Sequence, residues 1–243
     1  MTKSSDADLL VSYRRSGGRP PPDDERLDVR PDGSFEAHRT VGLATAGGFA
    51  GALDAATLRT LTDAVAAVGA VEGDAELVIP TRREGATEEI EAGGRQATLG
   101  AGERPAGAWG DLVEQLRSLI VKPVIASPRA AVELQATVGE AALVHAGSEP
   151  IDVDLSLIEI HVVQLDRKRI PGQRWFATTR TGANPDVRPP ARWATATTGW
   201  RQALPFAHGL ELAPGASLQV LVTVPIREGG MLRVAKLGVY VEG

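Results

Sequence analysis

The chain has four histidines, His38, His145, His161 and His208, and no cysteine. Disulfides, thiolate metal sites and a cysteine nucleophile are therefore excluded together. Glu159 and His161 stand two residues apart, so on a strand they share one face and both can ligate zinc. Two ligands do not complete a structural zinc site, so a solvated sheet face is the favoured account of the pair. Asp152 and Asp154 share a face in the same way, and with Glu149 they offer oxygen ligands to calcium. They are too few without distant help, and a solvated acidic strand edge is the competing account. No His-Glu-x-x-His, phosphate loop with its lysine, Gly-x-Ser-x-Gly elbow or dinucleotide fingerprint occurs. These residue types assemble no catalytic set, and no cofactor or metal is expected.

Side chains suited to binding are more concentrated. Residues 174 to 206 hold Trp175, Phe176, Trp193, Trp200 and Phe206, half of the chain's aromatics, with Arg174, Arg180, Arg188, Arg192 and Arg201 against the single acid Asp186. Tryptophan and arginine dominate protein-binding hot spots, so one reading is an interaction surface. The other is that the aromatics fill a core while the arginines are solvated. Arginine beside stacking aromatics also suits single-stranded nucleic acid, but the net charge of −5 argues against that partner.

The elements that must position these residues fall into two patterns. Leu9 to Tyr13 is an apolar, β-favouring run that ends in Arg14, Arg15, Ser16, Gly17 and Gly18, a strand stopping at a turn. Pro20 to Pro22 cannot donate in a ladder and are expected to be a loop. Leu27 to Arg30 return as a strand, Pro31-Asp32-Gly33 turns, and Ser34 to Val41 pair back. The small, glycine-rich run from residue 42 to Gly51, including Gly47, Gly48 and Phe49, reads as a loop. Asp54 caps a helix in which Leu58, Leu61, Val65 and Val68 recur at helical spacing until Gly69. Leu77 to Ile79 form a strand, and Glu88 to Ala92 and Arg95 to Leu99 form a hairpin turned by Gly93-Gly94. Trp109, Leu112, Val113, Leu116, Leu119 and Ile120 predict a second helix, closed by Pro123.

Beyond Val121 to Ala130 the period becomes two. Val132, Leu134 and Ala136, then Ile158, Ile160 and Val162, then Leu218 to Val224 and Leu237 to Val241 alternate apolar with polar. Residues 1 to 122 carry 14 Lys and Arg against 20 Asp and Glu, and the remainder 12 against 11. The expectation is an α+β domain over 1–122, an antiparallel sheet with two helices, followed by an all-β antiparallel sandwich over 123–243. At 243 residues and 43% hydrophobic the chain can bury such cores. No run approaches the eighteen or more apolar residues of a membrane span and no signal-peptide core opens the chain, so the expected compartment is the cytoplasm.

The order of the first half, with its Arg-Ser-Gly-Gly strand end, return strand, Asp32-Gly33 turn, helix, two strands and closing helix, resembles the emfourins over roughly residues 8 to 120. These are small bacterial proteins whose described members inhibit thermolysin-like metallopeptidases. Arg19 to Asp24 stand where that family usually carries an apolar residue. In the second half, His145 to Leu155 and Leu212 to Leu218 resemble strand-edge motifs of immunoglobulin-like bacterial domains, among them the bacterial intracellular proteinase inhibitor domain. The resemblance implies a non-enzymatic peptidase inhibitor that occludes a protease cleft, with Arg14 to Gly18 and Gly47 to Phe49 as contacts; Trp175, Trp193 and Trp200 of the aromatic stretch are further binding candidates. The alternative class is a structural or accessory docking component of a larger assembly.

Overall fold

A computed structural model describes residues 9–18, 23–73, 75–79, 85–122, 124, 126–137, 139–165, 171–180, 191–204 and 217–242. In chain order the elements are β1 (Val11–Gly17), β2 (Asp23–Val29), β3 (Ser34–Arg39), β4 (Val41–Leu43), β5 (Thr45–Ala52), α1 (Ala55–Gly69), β6 (Glu76–Ile79), β7 (Ala86–Ala92), β8 (Arg95–Gly100) and α2 (Ala108–Val121). They continue as β9 (Pro128–Ala136), β10 (Ala141–Gly147), β11 (Ile151–Asp154), β12 (Glu159–Leu165), β13 (Pro171–Arg180), β14 (Trp193–Ala196), β15 (Arg201–Leu204), β16 (Ser217–Glu228) and β17 (Met231–Glu242).

The chain is mostly β and is not an α+β domain followed by a separate sandwich. Ten strands form one mixed sheet in the order β15-β10-β9-β5-β3-β2-β1-β7-β8-β6. A second sheet of seven runs β13-β12-β16-β11-β14, with β17 beside β16 and the short β4 beside β17. Among the described residues, β6 pairs parallel with β8 and β4 with β17, whereas pairs such as β1–β2 and β16–β17 are antiparallel. Part of the correction is local. The glycine-rich run expected to be a loop is β5, an interior strand whose small residues admit close neighbours. Gly47, at φ +131, leaves room for the carbonyl oxygen of Ala130, which a Cβ there would approach to 2.3 Å.

Two compact units emerge along the chain. One comprises residues 1–39 and 48–128, the other residues 40–47 and 129–243. The exchange point therefore falls at Pro128/Arg129, and the segment 40–47 belongs with the later residues.

In the first unit, the sheet residues Tyr13, Leu27, Phe35, Phe49, Ile90 and Leu99 bury against Leu61, Val65 and Val68 of α1 and against Trp109, Leu112, Val113 and Leu116 of α2. All six apolar residues that predict the second helix are buried. The β7–β8 turn is made by Gly93 and Gly94 at φ +57 and +72, the positive pair that a two-residue hairpin requires. In the second unit, Val132, Leu134 and Leu143 bury with Ile151, Val153, Ile160, Val162, Val220, Val222, Val224 and Leu237 in a single core.

Asp54 caps α1 as its sequence position predicts, accepting from the amides of Ala56 and Thr57, both at 2.9 Å. Its hydrogen bond from the Thr57 hydroxyl, then those from the amides, hold this exposed carboxyl below the usual 3.8. A depressed value means that the charged cap stabilises above the unfolded pKa and loses its contribution as pH falls through the folded one. The difference in Tm between the protein and its Asp54→Ala variant is thus full at neutral pH and narrows on acidification. A difference independent of pH would contradict this origin.

Candidate functional site

The first unit carries a row of alternating charges across four adjacent strands. Arg15 on β1 lies directly opposite Glu25 on β2 and Glu88 on β7, and Glu25 lies opposite Arg39 on β3. Residues at i and i+2 of a strand share a face, so Arg15 extends the inward face on which Val11 and Tyr13 are buried. The charges therefore continue the core toward the end of β1. Directly opposed unlike charges stabilise a sheet, and burial makes each dependent on its partner.

The contacts are specific. Arg39 Nε and Nη2 meet Glu25 Oε1 at 2.7 and 2.6 Å, and Arg39 Nη1 donates to the Ile120 carbonyl at 2.8 Å. The last turn of α2 has no basic residue of its own. Arg39 supplies the missing donor and positive charge at that helix end from a neighbouring strand. Arg15 Nη1 stands 3.6 Å from Glu25 Oε2. Glu88 is held by Arg117 of α2, whose Nη2 reaches Oε2 at 2.6 Å and also donates to the Glu103 carbonyl at 2.8 Å. The Tyr13 hydroxyl donates to Glu88 Oε1 at 3.1 Å. Burial, then the charges of Glu88 and Glu25, push its pKa well above the ordinary value of 10.0, so the phenol stays neutral and serves as a donor.

A cleft of about 330 Å³ opens over this row, lined by Tyr13, all five charged residues, and Ala101, Gly102, Ile120 and Val121. Its carboxylates are engaged by guanidiniums, so the arrangement is one for holding and recognising charge. None of Tyr13, Glu25, Arg39, Glu88 or Arg117 was among the residues singled out from sequence; only Arg15 was.

The other candidates separate. Arg14 is exposed, and Ser16, Gly17 and Gly18 are half-buried at the end of β1. Gly47, Gly48 and Phe49 are buried within β5 and form no exposed turn. In the sheet β5 is separated from β1 by β3 and β2, so the two runs do not make one edge. Trp200 packs against the second core. Trp193 is half-buried on β14, with the Arg227 guanidinium 4.3 Å from its ring centre. Trp175 lies on β13 opposite Val163, and its side chain is outside the described residues, as are Arg188 and Phe206.

The acidic pair is occupied by protein donors. Asp152 accepts from the Thr195 hydroxyl at 2.7 Å, and Asp154 accepts from the Ser156 amide and hydroxyl and from the Arg192 amide. His145 Nε2 lies 2.8 Å from the Glu149 carbonyl. Among the described residues no group of three or more His, Cys, Asp or Glu is placed to share a metal ion. No protein-family model, curated protein or solved structure matches the chain.

Proposed function

We propose that this chain is a non-enzymatic protein-binding protein that inhibits a thermolysin-like metallopeptidase by occluding its cleft with the end of β1, Arg14 to Gly18. The observation that carries the reading is the charge row at the base of that segment. Arg15 is paired with Glu25 and stands opposite Glu88 in the sheet, and these two carboxylates are held in turn by Arg39 and Arg117. A contact segment rooted in a rigid sheet loses little conformational entropy on binding, which is how an occluding inhibitor reaches tight association without a reaction. Arg14, one residue before the row, projects from the opposite, exposed face. Gly47 to Phe49 then serve folding instead of contact.

Inhibition assays against metallo-, serine and cysteine peptidases test this. The expected result is inhibition of a thermolysin-like enzyme, weakened about tenfold or more by Arg14→Glu, with the Tm unchanged. Failure to inhibit any of them would remove the reading.

A second reading, docking within a larger assembly, is favoured by Trp193 and Arg227. This stacked pair is only partly buried, and its residue types are those that anchor interfaces. It predicts that Trp193→Ala abolishes partner binding while Arg14→Glu leaves it intact.

A further inference from the structure

The cleft over the charge row presents a cationic floor and an apolar wall to solvent. Its carboxylates are buried, with side-chain exposures of 4% for Glu25 and 2% for Glu88, whereas Arg15 and Arg117 are 34% and 29% exposed. An entering molecule therefore meets guanidiniums first. Arg15 and Arg117 line the same cleft, Arg15 paired with Glu25 from the strand beside Glu88 and Arg117 paired with Glu88 from α2. Guanidinium edges match a planar oxyanion and form charge-assisted hydrogen bonds with it. Ala101, Ile120 and Val121 line the remaining side, suited to a short hydrocarbon. The volume lies at the small end of ligand sites.

We propose that this cleft binds a small monocarboxylate, its carboxylate set against Arg15 and Arg117 and its alkyl end against Ile120 and Val121. A planar carboxylate fits the guanidinium edges while its alkyl end meets Ile120 and Val121, a combination that tetrahedral, wholly polar phosphate does not offer. The inference does not rest on the peptidase reading, because it concerns the inward face of β1 and not the exposed Arg14.

The test is a titration of the intact protein with sodium acetate at constant ionic strength, chloride being the balancing anion, followed through the side-chain Nε–H NMR signals of its arginines. The expected result is saturable movement of the Arg15 and Arg117 signals in about the millimolar range, with the exposed Arg59 of α1 unmoved and inorganic phosphate weaker than acetate. Val121 is exposed and lies one helical turn beyond Arg117, so Val121→Glu places a competing carboxylate four residues away without disturbing the core. It should weaken acetate binding by about tenfold with no loss of Tm. Arg117→Lys, which keeps the charge facing Glu88 but not the fork, should weaken it as well. Uniform, non-saturating shifts at every arginine would overturn the proposal. So would phosphate binding as tightly as acetate, or unaltered acetate affinity in folded Val121→Glu.

Discussion

Replacing Gly47 by alanine will destabilise the protein by about 4 kcal/mol or more, at the extreme of single substitutions. Two effects combine. The residue sits at φ +131, which an L side chain rarely adopts, and an added Cβ would lie 2.3 Å from the Ala130 oxygen and 2.7 Å from the Ala131 Cα. Both neighbours are backbone of a paired strand, so neither can rotate away as a side chain would. Gly94→Ala isolates the first effect. Gly94 has φ +72 and nothing within 4 Å of the added carbon, so its cost is backbone strain alone, about 1–2 kcal/mol. Urea unfolding of the two variants gives the comparison. Equal, small losses would mean that β5 is not packed against β9 as described.

Glu25→Ala has the second largest expected effect, about 3–5 kcal/mol. Arg39 is 7% exposed and its Nε and Nη2 both depend on Glu25. Truncation leaves a nearly buried guanidinium whose desolvation cost is no longer offset. Removing both charges, as Glu25→Leu with Arg39→Met, should recover most of the loss, because the expensive species is the unpaired ion and not the absent pair. Recovery stays incomplete by about 1 kcal/mol, the hydrogen bond that Arg39 makes to the Ile120 carbonyl. A loss below about 1 kcal/mol for Glu25→Ala would show that the row is solvated.

Local chemistry made several elements legible in the sequence. Asp54 and the spacing from Leu58 to Val68 identify α1 because cap and stripe are properties of one segment. Gly93-Gly94 between alternating runs identifies the β7–β8 hairpin for the same reason. Pairing between distant segments was less legible. The parallel partners of β6 and β4 lie 20 and nearly 200 residues away, and side-chain alternation does not name a strand's neighbour. The run Thr45–Ala52 has no period to read, since its small residues are chosen by how closely other backbones approach. Taken as a loop, that run removes a member of the large sheet and changes the fold class.

The charge row left a signal that composition alone hides. On four strands an inward apolar series ends in a charge: Val11, Tyr13 and Arg15; Val29, Leu27 and Glu25; Phe35, Ala37 and Arg39; Ala92, Ile90 and Glu88. A charged residue in core parity is solvated when it occurs once. Four of alternating sign at the ends of neighbouring strands require partners, and the register supplies them. Trp193 and Trp200 show the opposite limit: the same residue type seven positions apart goes to a stacked site on β14 and to a partly buried place against the second core just before β15, a difference that composition does not carry.

The claim that the end of β1 is the binding surface is tested most directly by proximity in the complex. With no native cysteine in the chain, Ser16→Cys and Thr195→Cys each create a unique attachment point for a photo-cross-linker, one on the proposed contact segment and one beside Trp193. Mixed with an inhibited thermolysin-like metallopeptidase, the label at position 16 should cross-link to the enzyme and the label at position 195 should not. Cross-linking from position 195 alone would contradict the account and move the binding surface to the strands around Trp193.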